Sequence, residues 1–274
     1  NKFDPDATVT AEQAAKMLLI AQGYNAEVEG LVGTRWAANT NVLANQNGLY
    51  KELEDIATAE GLSREHAAQM IYNALDATVI VQSKSINKLT GEVITTYAPN
   101  EEGQDIAEKY LGLLTTIGVI ENIAYNEDKA EYTYYVVTSR TAQSTNVSIF
   151  TTGTDYTDLF AQKVKVMYKS EKGKSVVYGI CPEDSSVVVS ALFGDIKLNA
   201  AGTAINVDNG KIKIDGTEYK IENATVPVVS EYAYATVTIG SSPAVATDAV
   251  PYAPIKAIDR NANGKLDIIV YSPV

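Results

Sequence analysis

The amino-acid sequence predicts an α+β protein in which a helical module over residues 1–80 precedes an antiparallel β-rich region, built as a barrel or as small sandwich units. Three observations carry this prediction. An apolar stripe with the helical period occurs twice at a fixed spacing, apolar residues begin to alternate with polar ones after residue 80, and two-residue hairpin turns punctuate the second half.

The stripe comes first along the chain. Ala14, Met17, Leu18 and Ala21 recur at i, i+3, i+4 and i+7, as one face of an amphipathic helix does. Ala67, Met70, Ile71 and Ala74 do the same, and every pair keeps one offset of 53 residues (67 minus 14). Ala15 matches Ala68 and Val9 matches Leu62 at that offset. Each helix is preceded by a hydroxyl N-cap residue, Thr10 and Ser63, and Thr10 with Gln13 has the spacing of a capping box. Gly23 stands where the first helix should stop. Between the copies, Trp36, Thr40, Leu43 and Ala44 make another stripe, ended by Asn47-Gly48. A repeated helix–loop–capped helix unit indicates stacked supersecondary structure.

After Thr78-Val79-Ile80-Val81 the pattern changes, and tyrosine outnumbers phenylalanine by 17 to 4, which suits pleated, half-exposed surfaces. Strands are expected over 163–168 and 175–180, joined across Glu171-Lys172-Gly173. A meander is expected through 204–207, 211–214 and 218–221, with turns at Asn209-Gly210 and Asp215-Gly216, where both central residues need positive φ. Loops are expected at Gly153, at Asp184-Ser185-Ser186 and over 240–254, and short helices over 103–110 and 155–161. A boundary near residue 195 divides the β region into 81–195 and 196–274, with one large sheet as the alternative.

The front of the chain resembles a known family. Phe3-Asp4-Pro5-Asp6-Ala7-Thr8-Val9-Thr10 and the helix after it look like the back half of an S-layer homology repeat. Trp36-Ala37, Asn47-Gly48-Leu49, then Leu62-Ser63-Arg64-Glu65 and 67–75 look like a complete second one. The stretch 107–120 is similar to the segment located after such repeats in surface proteins of gut Firmicutes. The resemblance implies an exported cell-surface protein of Gram-positive bacteria, held on anionic wall polysaccharide. In the family a Thr-Arg-Ala-Glu tetrad opens the second helix; here the copies read Thr10-Ala11-Glu12-Gln13 and Ser63-Arg64-Glu65-His66. Glycan binding therefore falls to Arg64, aided by Arg35 and Trp36, since a guanidinium fork holds a carboxylate bidentately.

Charge and missing motifs narrow the chemistry. With 34 acidic against 22 basic residues the net charge is −12, which repels phosphate backbones and makes nucleic acid an unsuitable partner. No apolar run approaches the ~18 residues of a membrane span. The chain opens on Asn-Lys-Phe-Asp-Pro with no charged-then-apolar leader, as a processed or excised segment does. The single cysteine, Cys181, excludes an intramolecular disulfide and is expected to be a buried thiol at a strand end. The single histidine, His66, excludes a histidine-based metal centre. No phosphate-binding glycine loop, nucleophile elbow or His-Glu-x-x-His motif occurs.

One segment has metal-ligand spacing. Asp259, Asn261, Asn263 and Asp267 place oxygens at positions 1, 3, 5 and 9 of a calcium loop with Gly264 at position 6, yet position 12 is Val270 instead of a bidentate glutamate. The readings are an Asn/Gly-rich hairpin turn or a weak extracellular Ca2+ site, and no other cofactor is expected. The expected function is that of a non-catalytic, S-layer-associated structural protein at the cell surface, anchored by its helical module, with the β units as spacers or adhesive modules. Its partners are wall polysaccharide or neighbouring surface-protein copies. The alternatives are a carbohydrate-binding module using Tyr132, Tyr134 and Tyr135 as platforms, or a glycoside hydrolase working through two carboxylates.

Overall fold

The computed structural model describes residues 7–183, 186–200, 202, 205–224, 226–230, 236–238 and 251–272. Expectations that fall on 3–6, 184–185, 204 and 240–250 lie outside the described residues. The fold is α+β, helices first and sheets after, in two compact units, Asn1–Leu113 and Leu114–Val274.

The first unit holds α1 (Ala11–Gln22), α2 (Trp36–Gln46), α3 (Arg64–Leu75) and a hairpin of β1 (Ile80–Ile86) and β2 (Val93–Pro99). The helices α1 and α3 start and stop 53 residues apart (64 minus 11, 75 minus 22). Thr10 Oγ1 accepts from the Gln13 amide at 3.3 Å and Gln13 Oε1 accepts from the Thr10 amide at 3.0 Å, so the capping box forms. Ser63 Oγ accepts from the His66 amide at 3.0 Å, the same cap at the same place in the second copy. The segments entering the two helices also pair, with the Leu62 amide donating to Val9 O at 2.8 Å.

The buried stripe, by contrast, does not repeat, which corrects the sequence expectation for α1. This helix buries Ala11, Ala15, Leu19 and Gln22, while Met17 is 58% exposed; its counterpart Met70 is 1% exposed, and α3 buries Met70 and Ala74 but leaves Ile71 of its expected stripe exposed. Successive residues are ~100° apart around a helix, so α1 is turned by about one residue from the face its periodicity suggests. The cause is tertiary: α1 lies against both α2 and α3, and the direction of the shared core is set by two neighbours at once. A polar network ties the same elements together. The Tyr50 hydroxyl donates to Asn41 Oδ1 at 2.7 Å, Asn41 Nδ2 donates to Thr58 Oγ1 at 3.2 Å, and the Glu12 amide donates to Thr58 O at 3.1 Å. Burial, with the Glu12 charge second, pushes the Tyr50 phenol up to about 12.

The hairpin after residue 80 belongs to this unit. Tyr97 of β2 packs its ring 5.1 Å from that of Tyr24 and accepts from the Asn25 amide at 3.3 Å. The helix expected over 103–110 is a single π-helical turn, Ala107–Leu111, stopped by Gly112 at φ 62.

The second unit contains β3 (Leu114–Asn126), β4 (Glu131–Arg140), β5 (Thr145–Thr152), β6 (Lys163–Glu171) and β7 (Lys174–Pro182) in one sheet of order β5-β4-β3-β6-β7. Three strands form a meander and the fourth returns beside the first, which is Greek-key connectivity. The end strands β5 and β7 approach each other but bond only to β4 and β6, so the sheet is a partly open barrel. Gly118 lets the β4 backbone come close to β3: a Cβ there meets Val137 O at 2.6 Å. A single 3-10 turn, Thr157–Leu159, stands where the helix over 155–161 was expected, and Phe160 and Ala161 after it enter the barrel core.

A second sheet has the order β12-β11-β15-β13-β8, from β8 (Val187–Leu192), β11 (Pro227–Ser230), β12 (Thr236–Thr238), β13 (Pro254–Asp259) and β15 (Ile268–Tyr271). It draws on strands from both sides of residue 195. One face, Val229, Ile258, Ile268 and Val270, joins the barrel core. The other, Val228, Ile255, Ala257, Ile269 and Tyr271, packs on a small sheet of β9 (Lys211–Ile214), β10 (Thr217–Ile221) and β14 (Lys265–Leu266). Covered on both sides, β15 reads Ile-Ile-Val-Tyr without alternation. Pairing is antiparallel except for β11 with β15 and β10 with β14, which run parallel. The expected turns form with both φ positive: Lys172 and Gly173 at 51 and 77, Asn209 and Gly210 at 48 and 70, Asp215 and Gly216 at 47 and 75. The strand expected before Asn209 does not form over 205–207, where Ile205 makes only an isolated bridge with Leu198.

Candidate functional site

In the first unit, the face of α1 that turns away from the core lines an open groove of about 530 Å³ with Val9, Gln13, Lys16, Met17, Val32, Gly33 and Trp36. Trp36 is half-buried, with the Lys16 ammonium 5.5 Å from its ring centroid. Such a cation–π contact holds Lys16 in place and sets a positive charge at the groove. Arg35 is the exposed residue before α2, immediately preceding Trp36. Arg64 is the exposed first residue of α3 and is not among the groove residues. Neither guanidinium has a hydrogen bond or ion pair among the described residues, so both are open to a ligand. Of the residues singled out for glycan contact, the structure places Trp36 in the groove and Arg35 next to it in sequence. Lys16 and Met17 carry no sequence signal for this groove, because Met17 belongs to the apolar stripe of α1.

In the second unit, the segment 259–267 is the loop that closes the hairpin of β13 and β15, where Ile258 stands opposite Ile268, and its end carries the two-residue β14. Asp259 is buried, and its Oδ1 accepts from the Asn261 and Asn263 amides at 3.2 Å while Oδ2 accepts from Gly264 at 2.8 Å. Asn261 Oδ1 accepts from the Asn263 amide at 3.1 Å, Asn263 Oδ1 from Lys265 at 2.9 Å, and Asp267 Oδ2 from Arg260 at 2.8 Å. The four side chains are thus in one loop, with backbone amides on their oxygens. Val270 is 4% exposed inside the core, where a twelfth-position ligand would stand. Among the described residues no three or more His, Cys, Asp or Glu side chains are grouped to hold a metal. The Arg260 guanidinium next to the loop donates to Ala161 O at 2.9 Å, and its burial drives its pKa down. Replacing Asp259 by asparagine sets an amide donor against one of these N–H groups. The expected loss is about 1.5–3 kcal/mol of stability of the second unit, read by calorimetry.

Of the three tyrosines proposed as platforms, Tyr134 is fully buried, and Tyr132 and Tyr135 are half-buried. Tyr132 and Tyr134 belong to a ring series with Tyr125 and Tyr156, at centroid distances of 4.6, 6.1 and 6.0 Å. The Tyr132 hydroxyl donates to Asp155 Oδ2 at 3.2 Å, and the Thr157 amide, donating to Oδ1, holds the Asp155 carboxyl below its ordinary value. A cleft of about 120 Å³ in this unit includes Asp158, and a groove of about 650 Å³ includes Glu131; neither brings two carboxylates together. His66 belongs to the first unit and Cys181 to the second, where its thiol donates to Lys165 O at 3.7 Å.

No protein-family model, curated protein or solved structure matches this chain. Among the described residues no helix is long and apolar enough to cross a membrane.

Proposed function

We propose that this chain is a non-catalytic, extracellular surface protein. Its helical unit tethers it to an anionic wall polysaccharide, and its β unit is a spacer or adhesive body held outward. The observation that carries this reading is the repetition of two 12-residue helices 53 residues apart, each opened by a hydroxyl that accepts from the N3 amide, at Thr10 and at Ser63. Beside it stands an open groove in which Lys16 and Trp36 meet, with the unpaired Arg35 adjoining in sequence. A carboxylated sugar suits that set: a cation neutralises the acid, and the indole and Met17 take the C–H face of the ring. The same cations suit this anionic ligand better than the rest of a chain carrying −12.

Retention of the protein on purified pyruvylated wall polysaccharide tests the reading. The wild type should be retained, and Trp36→Ala and Lys16→Ala should each reduce retention about tenfold, the order expected when one aromatic or charged contact in the groove is removed. No retention of the wild type, with or without calcium, removes the anchor function.

A further inference from the structure

We infer that the open seam of the barrel, between β5 and β7, is a binding site for an acidic oligosaccharide. The groove of about 650 Å³ there is lined by Ile149, Thr151 and Thr152 of β5 and by 174–177 of β7, with Lys129 and Glu131 at the β3–β4 turn. Its size is that of a pocket taking a small ligand or a few sugar rings. The site is separate from the helical groove and does not rest on the tethering function.

The lining decides between ligand classes. An inserted polypeptide strand needs ~4.8 Å on each side, and so about 9.5 Å between the strands that flank it. The edges of β5 and β7 come within 8 Å of each other between Cα atoms, which leaves no room for a strand over that part of the seam. A ligand must therefore lie on the outer groove and be held by side chains. Nucleic acid needs a basic channel with aromatic platforms for its bases. Among the described residues this groove has no aromatic residue, and the whole chain carries a net charge of −12.

The groove offers three hydroxyls, Thr151, Thr152 and Ser175, beside exposed aliphatic surface at Ile149 (56% exposed) and Val176 (40%). That alternation matches a pyranose, which has hydroxyl edges and apolar C–H faces. Lys129 and Lys174 add two ammonium groups, neither ion-paired among the described residues, against the single carboxylate of Glu131. A local cationic excess within an acidic protein selects an acidic sugar over a neutral one. By fold-level analogy alone, partly open five-stranded barrels bind oligonucleotides and oligosaccharides on their second and third strands, between the loops after strands one and four, and the lining here decides for the sugar. Lys129 is in the loop after β3, and Lys174 opens β7 directly after the loop that leaves β6.

The test is an array of uronate-containing, sialylated, pyruvylated and neutral oligosaccharides, with oligothymidylate as a further spot, probed with the full chain. Wild type should bind acidic sugars and lose most of the signal at high salt, as a charge-based contact does. The Lys129→Ala/Lys174→Ala double variant changes only exposed side chains and should lower the uronate and sialylated signals about tenfold, while Trp36→Ala, which alters only the helical groove, should lower the pyruvylated signal alone. Three outcomes overturn the site: no uronate or sialylated binder, a preference for neutral sugars or oligothymidylate, or a uronate or sialylated signal lost in Trp36→Ala and kept in the double variant. Loss of wall-polysaccharide retention with this signal intact removes the tether alone.

Discussion

Replacing Gly23 by alanine should destabilise the helical unit by about 3–5 kcal/mol, well beyond the usual effect of one surface substitution. Two costs coincide. Gly23 ends α1 at φ 122, a backbone region that side chains rarely adopt, costing about 1–3 kcal/mol. A Cβ at that position also lies 2.1 Å from the carbonyl oxygen of Ile80, so the chain entering β1 must move, and with it the contact of Tyr97 on Tyr24. The comparison that isolates the second cost is Gly48→Ala. Gly48 has φ 69 but nothing within 4 Å of its Cβ, and only the left-handed penalty of about 1–2 kcal/mol applies. Urea unfolding followed by Trp36 fluorescence reads both, since the chain has one tryptophan and it stands in this unit. Equal losses in the two variants would show that no clash with Ile80 exists.

Truncating Tyr134 to alanine should cost the β unit about 3–5 kcal/mol, the range for a large aromatic side chain removed from a core. Tyr134 is 0% exposed, and its ring packs between Tyr132 and Tyr156. Its hydroxyl donates to Thr154 O at 3.1 Å and accepts from the Tyr156 amide at 2.7 Å, and burial pushes the phenol up to about 12. Tyr134→Phe keeps the ring and leaves two backbone groups without their partner, so about 1–3 kcal/mol is expected. Calorimetric unfolding of both variants separates ring packing from hydroxyl bonding. A phenylalanine variant as stable as wild type would mean that these backbone groups reach water.

Local features were legible where a single segment decides them. Thr10 and Ser63 cap helices because a hydroxyl one residue before a helix can reach the N3 amide, whatever the rest of the chain does. Asp215-Gly216 turns a hairpin because both residues tolerate positive φ. The candidate site was legible only in part. Trp36 and Arg35 could be singled out by residue type, but Lys16 and Met17 could not, because their exposure depends on how α1 is rotated against α2 and α3. The seam groove left no signal either, since 129–131, 149–152 and 174–177 meet only when the sheet curls.

By itself the sequence determined the elements: the three capped or glycine-ended helices, the switch to strands after residue 80, and the two-residue turns. Each rests on short-range geometry, on hydrogen bonds and dihedral preferences spanning a few residues. Tertiary structure alone decided which face of α1 is buried, that Val270 serves the core and not the loop at Asp259, and that β5 and β7 stand side by side without bonding. Those outcomes depend on contacts between residues distant along the chain, where the burial gained by the whole assembly outweighs the preference of any one segment.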